Sequence, residues 1–238
     1  MSKALEKLGL EKRLNLAELA YNQIKEAIVF VKISPGYALS ENTLANALEM
    51  SRTPVREALK MLAQEGLVEI LPGRGAFAKE VSVQDLEEIC ELRTVLECQA
   101  AKTAINNFTD SEIQAEEEIW LGFLEKVKQG EKIDWETISR HDNQFHSLMI
   151  NKCENTRLKN IMNVLMYQSL RYQVMAAQAL NNVEKTIGLQ LEVISLLKER
   201  DVDKLVANLR VHIEGTKEII IKDISSKSNK SKQLLLNK

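Results

Sequence analysis

The sequence predicts a mainly α-helical protein, with a small mixed domain at the N-terminus followed by a helical bundle. Of its 238 residues only 9 are Gly and 3 are Pro, too few turn residues for a β-sandwich, a barrel or a doubly wound sheet. Apolar residues recur at three- and four-residue intervals along most of the chain, which is the spacing of amphipathic helices. Because prolines and glycines concentrate before residue 80, a domain boundary is expected near residues 80–83.

The N-terminal domain is predicted to begin with two helices. The first has an apolar stripe that runs through residues 16–31, and the Ser-Pro-Gly segment at 34–36 ends it. Ser40 then fits the N-cap of a short helix over residues 41–48, because a hydroxyl there can accept a hydrogen bond from a free backbone N–H.

A third helix and a β-hairpin complete this domain. Ser51 caps a helix that is expected to reach about residue 65, with Pro54 in its first turn, where a missing N–H is harmless. Gly66 fits the left-handed position that commonly follows a helix. Residues 67–71 and 76–79 alternate as two short strands around a Pro-Gly turn. This order of elements predicts a winged helix-turn-helix over residues 1–80.

Candidate DNA contacts concentrate at the start of the third helix and at the tip of the hairpin. Arg52 and Arg56 are four residues apart, so they project from one helix face, and arginine can grip either a guanine edge or a phosphate. The alternative is that they pair with Glu49 and Glu57 on a solvated surface. The predicted DNA-binding set is Asn42, Ser51, Arg52, Thr53, Arg56, Gly73 and Arg74.

The charge is distributed unevenly along the chain. The net charge of −2 argues only weakly against a nucleic-acid partner, since residues 1–80 carry 11 basic and 10 acidic side chains whereas residues 81–224 carry 17 and 24. Residues 225–238 are basic and poor in apolar side chains until their end, which predicts a disordered tail. Neither a membrane span nor a signal peptide is recognised, so we expect a cytoplasmic protein without a membrane partner.

Residues 83–224 are predicted to form an all-α antiparallel helical bundle. The periodic segments cover residues 83–106, 110–129, 135–151, 155–180, 182–199 and 201–223. Asp142 and His146 are four residues apart on an otherwise apolar helix, so both side chains point the same way. Together they could form half of a divalent-metal site inside the bundle, and His212 could supply another imidazole. The alternative for each is a buried side chain with an ordinary hydrogen-bond partner.

Two groups of motifs resemble one protein family. The segment SRTPVREAL, with SExxLA before it and EGLV and PGRG after it, resembles the winged-helix domain of GntR-type bacterial transcription regulators over residues 15–80. That resemblance implies that Arg52 and Arg56 contact operator DNA and that Gly73 approaches the minor groove. Glu49 stands where such regulators often have Gly, and a left-handed Glu would cost about 1 kcal/mol relative to Gly.

The second domain resembles the FadR-type, FCD ligand-binding domain of the same family. The segments DLEEICELRTVLECQAAK, HDNQFHSLMINKCENTRL, ISLLKERDVDKLVANL and RVHIEG carry the likeness, which extends over residues 83–216. It implies an effector-binding and dimerisation domain in which Arg93 is the counter-ion of an acidic effector. Tyr167 and Arg171 are further candidates for the lining of the effector site.

The resemblance also bears on a metal cofactor. Many FCD domains bind a metal through one Asp and three His, and Asp142, His146 and His212 match three of these positions. The remaining position falls on Gln190, whose oxygen is a weaker ligand than imidazole for zinc or nickel. Two alternatives stay open: a metal held by two His, one Asp and waters, or a metal-free site that binds the effector through hydrogen bonds.

The sequence therefore predicts a dimeric, ligand-responsive regulator of transcription that is not an enzyme. A small-molecule effector, expected to be a carboxylate, would bind in the bundle among Arg93, Asp142, His146, Gln190, His212, Tyr167 and Arg171 and alter binding to a palindromic double-stranded operator. One alternative is a metal-dependent hydrolase, which lacks a recognisable separate general base. The other is a structural helical partner protein, which leaves the motif at residues 51–56 unexplained.

Overall fold

The computed structural model describes residues 10–180 and 182–236, and the chain divides into two compact units, Met1–Val81 and Ser82–Lys238. The described part of the first unit contains helices α1 (Leu10–Val29), α2 (Glu41–Ala47) and α3 (Arg52–Gln64) and strands β1 (Ala38–Leu39), β2 (Val68–Leu71) and β3 (Gly75–Ala78). The strands form one antiparallel sheet in the order β1-β3-β2. This architecture confirms the predicted winged helix-turn-helix.

Local signals fix the helix ends of the first unit. The Ser40 hydroxyl accepts a hydrogen bond from the Thr43 N–H, as an N-cap should. Gly66 follows α3 with a φ of 71°, the left-handed backbone that glycine adopts without strain. Glu49 has a φ of 53°, so the turn before α3 does hold a side chain in a conformation that favours glycine.

Two features of the first unit differ from the sequence-based expectation. Helix α1 ends at Val29, before the Ser-Pro-Gly segment, because Val31 takes a φ of 57° and interrupts the helical backbone. Strand β1 was not predicted, because it has only two residues. These residues, Ala38 and Leu39, pair with Phe77 and Ala76, which lie far along the chain. Periodicity over two residues carries no signal.

The second unit is an all-α bundle in the described residues. Its helices are α4 (Val83–Asn107), α5 (Asp110–Lys128), α6 (Trp135–Lys152), α7 (Thr156–Leu180), α8 (Val183–Glu199) and α9 (Val202–Leu236). Each begins within one residue of the predicted start. The Ser82, Asp134 and Asn182 side chains cap α4, α6 and α8, and Thr109 forms a full capping box with Glu112 at α5. Fully buried side chains such as Trp120 and Phe145 fill the core.

The C-terminal segment differs from the predicted disordered tail. Helix α9 continues through residues 225–236 to Leu236, and residues 237–238 lie outside the described part of the chain. After Gly215 the sequence contains neither Gly nor Pro, so no residue that commonly stops a helix follows the apolar part of α9. In the described residues no helix combines the length and the apolar character that a membrane crossing requires.

Candidate functional site

The two arginines of α3 meet at one carboxylate on the neighbouring helix. Arg56 donates from Nε to Glu41 Oε1 and from Nη2 to Glu41 Oε2, both at 2.8 Å, and Arg52 Nη2 donates to Oε2 at 3.1 Å. The arginine side chains are 58% and 52% exposed. Both guanidinium groups are therefore held in place at the surface by Glu41, and not by Glu49 and Glu57, which were the partners in the alternative interpretation of the sequence.

The charge state of Glu41 follows from this contact. Hydrogen bonds from Arg56, and then from Arg52, lower the pKa of the Glu41 carboxyl to about 2. The carboxylate stays ionised at every pH at which duplex DNA is stable. Glu41 thus presents to Arg52 and Arg56 the kind of charged oxygens that a DNA phosphate would present.

The remaining residues predicted at this surface are also exposed. Asn42, Ser51 and Thr53 lie at the exposed starts of α2 and α3, and Ser51 occupies the N-cap position without making a side-chain cap hydrogen bond. The opposite face of α3 is buried through Pro54, Val55, Ala58, Leu59 and Leu62. The buried face fixes the helix, and the polar face stays exposed.

The tip of the hairpin has the conformation that close backbone approach requires. Gly73 and Gly75 have φ values of 72° and 99°, and a Cβ at either position would meet no atom within 4 Å. Between them, the Arg74 guanidinium lies 5.9 Å from the centroid of the Phe77 ring. The tip therefore combines an exposed cation with a backbone that has open space around it, as a wing that enters a DNA groove would need.

In the second unit, α6 and α9 bring together the Asp and two His residues predicted from the sequence. Ligand atoms of Asp142, His146 and His212 all lie within 4.8 Å of one another. His146 is fully buried and Asp142 nearly so, and the two histidine rings are 5.9 Å apart between centroids. His141, one residue before Asp142, instead packs its ring against Phe123.

The sequence analysis missed a buried carboxylate beside this cluster, Glu97 of α4. Its Oε1 accepts a 2.6 Å hydrogen bond from Arg93 Nε, and its Oε2 lies 3.0 Å from His146 Nδ1. The second contact is an ion-pair distance whose angles are not those of a good hydrogen bond. On its other side His146 Nε2 lies 3.8 Å from Asp142 Oδ1. The i, i+4 spacing of Arg93 and Glu97 was the available sequence signal.

Burial and charge oppose each other within this network. Burial disfavours the charged form of Glu97, but Arg93 and His146 outweigh it and hold the pKa of Glu97 well below its usual range. Burial likewise disfavours protonation of His146, yet Glu97 and Asp142 raise its pKa above the ordinary value. The pKa of His212 is lowered, chiefly by burial.

Three other predicted site residues are placed as follows. Gln190 of α8 is 1% exposed, and neither polar atom of its amide has a hydrogen-bond partner. Arg171 of α7 is buried and Tyr167 is half-buried on the same helix. A buried amide without partners is costly unless something satisfies it, so Gln190 has unused hydrogen-bonding or ligating capacity.

A cavity of about 590 Å³ borders this cluster. Helices α6, α7, α8 and α9 line it, and of the predicted site residues Asp142 and His212 reach its wall. Arg93, His146 and Gln190 are described residues that lie outside that lining, as are Tyr167 and Arg171. The cavity has the size of a small-molecule site, and two of the three clustered residues belong to its lining.

Sequence comparisons identify both units. The family described as "Bacterial regulatory proteins, gntR family" matches residues 16–78, and the FCD domain family matches residues 88–215. The chain is similar to the HTH-type transcriptional repressor RspR of Escherichia coli (strain K12), at 25% identity over 84% of this chain and 86% of that protein. It is also similar to the Nta operon transcriptional regulator of Aminobacter aminovorans, at 29% identity over 76% of this chain and 82% of the relative.

A comparison with solved structures agrees on the fold. The structure of E. coli McbR/YncC superposes with a TM-score of 0.75 at 22% identity, covering 88% of this chain and 98% of that one. The relatives are DNA-binding regulators and not enzymes, which excludes the hydrolase alternative. The chain belongs to the GntR family of bacterial transcription regulators and carries the FCD domain of its FadR-type members.

Proposed function

We propose that this DNA-binding regulator responds to a small carboxylate that binds in the 590 Å³ cavity and changes its affinity for a palindromic operator. The observation that carries the proposal is the cluster of Asp142, His146 and His212, of which Asp142 and His212 reach the wall of that cavity. An effector can shift operator binding only if it binds the operator-competent and released forms with different affinity. We expect the protein to act in the cytoplasm, where its operator lies.

We further propose that the cluster holds a divalent cation, zinc or nickel. Ligands of one such ion, each bound at about 2.1 Å, lie no more than about 4.2 Å apart. The three donors here lie within 4.8 Å of one another, so a small movement of the side chains would bring them into coordinating range. Glu97 beside His146 Nδ1 favours the tautomer that leaves Nε2 free as a ligand. A bound ion would supply a positive charge at the part of the cavity wall that Asp142 and His212 form. Gln190, which the family resemblance places at the position of the third imidazole, has an amide without a hydrogen-bond partner and would be the candidate for a further ligand.

Arg93 acts through Glu97 in this proposal. Its guanidinium is buried and already paired with Glu97, so an acidic effector would have to compete with that carboxylate. Asp142 at the cavity wall would itself repel an anion. A carboxylate effector is therefore expected to need the cation, which makes its binding dependent on the metal.

Metal analysis of the purified protein tests the cation site. After incubation with Zn²⁺ or Ni²⁺ and gel filtration, we expect about one ion per chain, loss of that ion in His146→Ala, and tighter binding in Gln190→His because imidazole is the better ligand. His141→Ala is the matched control, since His141 packs on Phe123 and should leave the metal content unchanged. An ion-free wild-type protein, or equal loss in both histidine variants, would refute the coordination.

The effector response is tested on the metal-loaded full chain with the DNA upstream of its own gene. Acetate, citrate and benzoate serve as probes, with thermal shift reporting their binding and fluorescence anisotropy reporting operator affinity. A probe that raises the thermal transition is expected to change the operator Kd by about fivefold or more, the usual scale of allosteric coupling. Probes that bind yet leave the operator Kd unchanged would sink the regulatory role of the cavity.

We propose that a second copy of the chain covers an apolar face on α4 and α7. Leu92 and Val95 of α4 are 49% and 63% exposed, and Ile161 and Val164 of α7 are 52% and 46% exposed. Each pair is three residues apart, so its members are neighbours on the helix surface, and monomers rarely leave such apolar groups uncovered. A two-fold dimer also matches a palindromic operator.

Light scattering coupled to gel filtration measures this association. We expect wild-type protein at twice the chain mass of 27.0 kDa and a Val95→Glu, Ile161→Glu double variant at the mass of one chain, because two charges would be buried in the interface. Leu121→Glu on α5 is the control, since Leu121 is also exposed but lies on another helix. A double variant that stays dimeric would rule this face out.

A further inference from the structure

Helix α4 carries a row of exposed side chains along one face, formed by Glu88, Glu91, Val95, Gln99 and Lys102. Glu88, Val95 and Lys102 follow one another at seven-residue intervals, which is about two helical turns, so they lie nearly on one line with about 10 Å between neighbours. Resting on the proposed dimer, we infer that two copies of α4 pack antiparallel across a two-fold axis at Val95. Glu88 of each copy then lies against Lys102 of the other.

The centre of this row is apolar. Val95 is 63% exposed, and Leu92, on the turn before it, is 49% exposed. The other side of α4 is fully buried through residues such as Leu86, Ala100 and Ala101, so the core already holds the helix from that side. Neighbouring large apolar side chains that stay exposed in the middle of such a helix indicate an interaction surface.

The charges of the row are arranged to fit a second copy of the same row. Glu88 and Glu91 come before Val95, whereas Gln99 and Lys102 come after it. A two-fold axis at Val95 reverses this order in the second copy, so Glu88 meets Lys102 and Glu91 meets Gln99. A parallel pairing would instead place Glu88 against Glu88 and Lys102 against Lys102, and like charges opposed across an interface weaken it. The charge pattern therefore favours the antiparallel orientation.

The two terminal charges of the row, Glu88 and Lys102, form no salt bridge in the described part of their own chain. Glu88 accepts a 3.0 Å hydrogen bond from the neutral amide of Gln84, which leaves its charge uncompensated. In the dimer each of the two gains a partner of opposite sign, and the symmetry produces two such pairs. The pairs lie at the rim of the apolar centre, which is the usual place of charged groups in a protein interface.

Reversal of these charges tests the pairing. Each substitution acts twice in a two-fold dimer, so Glu88→Lys or Lys102→Glu alone replaces two attractions with two repulsions. We expect either single variant to raise the dimer Kd by about tenfold at low ionic strength, and the effect to shrink at high salt. The Glu88→Lys, Lys102→Glu double variant restores opposite charges in exchanged positions and should return the Kd to within about threefold of the wild type. Analytical ultracentrifugation of the fluorescently labelled full chain measures each Kd.

Glu118→Lys on α5 is the matched control. Glu118 is exposed and accepts the same kind of hydrogen bond, from Gln114 at 2.9 Å, so the substitution changes the net charge equally without touching the row. Its dimer Kd should equal that of the wild type. Single variants as tight as Glu118→Lys, or a double variant no tighter than the single ones, overturn the α4 pairing while the dimer itself stands. A wild-type chain that stays monomeric refutes the dimer and this inference together.

Discussion

The Arg52→Ala, Arg56→Ala double variant is expected to bind its operator about a hundredfold more weakly than the wild type, from the typical effect of removing arginines that contact bases or phosphates. Both guanidinium groups are exposed on one face of α3, whose other face is buried in the domain. The variant also leaves the Glu41 carboxylate without its partners, and that free negative charge would repel the DNA backbone. Fluorescence anisotropy with the operator duplex at fixed KCl concentration measures the loss.

The control for this variant is Lys60→Ala. Lys60 is exposed on α3 but lies two turns beyond the N-terminal end, so its removal should weaken binding far less and to operator and random duplexes alike. Circular dichroism of all three proteins should be the same, because no buried residue changes. Operator affinity in the double variant equal to that of Lys60→Ala would show that α3 does not read DNA through these arginines.

Replacing Glu97 by Ala is expected to destabilise the second unit by about 3–5 kcal/mol, the usual cost of leaving one partner of a buried ion pair alone. Arg93 and Glu97 are both buried, so the remaining guanidinium would have no solvent to replace the carboxylate. Urea unfolding followed by tryptophan fluorescence measures the change. Both tryptophans of the chain, Trp120 and Trp135, belong to the second unit, so the signal reports on that unit alone.

Two controls isolate the buried pair. Glu136→Ala removes a carboxylate that pairs with Arg140 at a partly exposed i, i+4 site and should cost less than about 1 kcal/mol. A double Arg93→Met, Glu97→Leu variant should be more stable than Glu97→Ala, because replacing both charges leaves neither unpaired. Measurements in the presence of a chelator keep any bound metal from contributing. A Glu97→Ala variant that unfolds like Glu136→Ala would contradict the assigned ion pair.

Much of the fold followed from local sequence signals. Ser40 marked the start of α2, because a side chain that accepts a backbone N–H competes only with its immediate neighbours. Ser51 likewise marked the start of α3, where it occupies the N-cap position. The donor cluster of Asp142, His146 and His212 was also predictable, because Asp142 and His146 share one helix face and His212 lies in another apolar helix. Local signals failed for the end of α9, where no Gly or Pro ends the apolar periodicity.

The contacts that the sequence did not predict join residues that are far apart in the chain. Glu41 and Arg56 are fifteen residues apart in the sequence. Glu97 of α4 and His146 of α6 lie on helices that are separated in the chain by the whole of α5. Each glutamate occupies an ordinary helical position, and only the packing of two helices reveals its partner. Strand β1 was missed for the same reason, because its two residues form a strand only through their pairing with β3.

Any DNA that binds the arginine face of α3 would have to compete with Glu41 for Arg52 and Arg56. A phosphate that approaches Arg52 and Arg56 has to displace a carboxylate that already satisfies them, so the encounter is an exchange of one anion for another with little net electrostatic gain. Random DNA offers only phosphates for this exchange, whereas an operator adds base edges that Glu41 cannot imitate. Displacing Glu41 would lower the affinity for every sequence alike, so discrimination between operator and random DNA would have to come from the base edges.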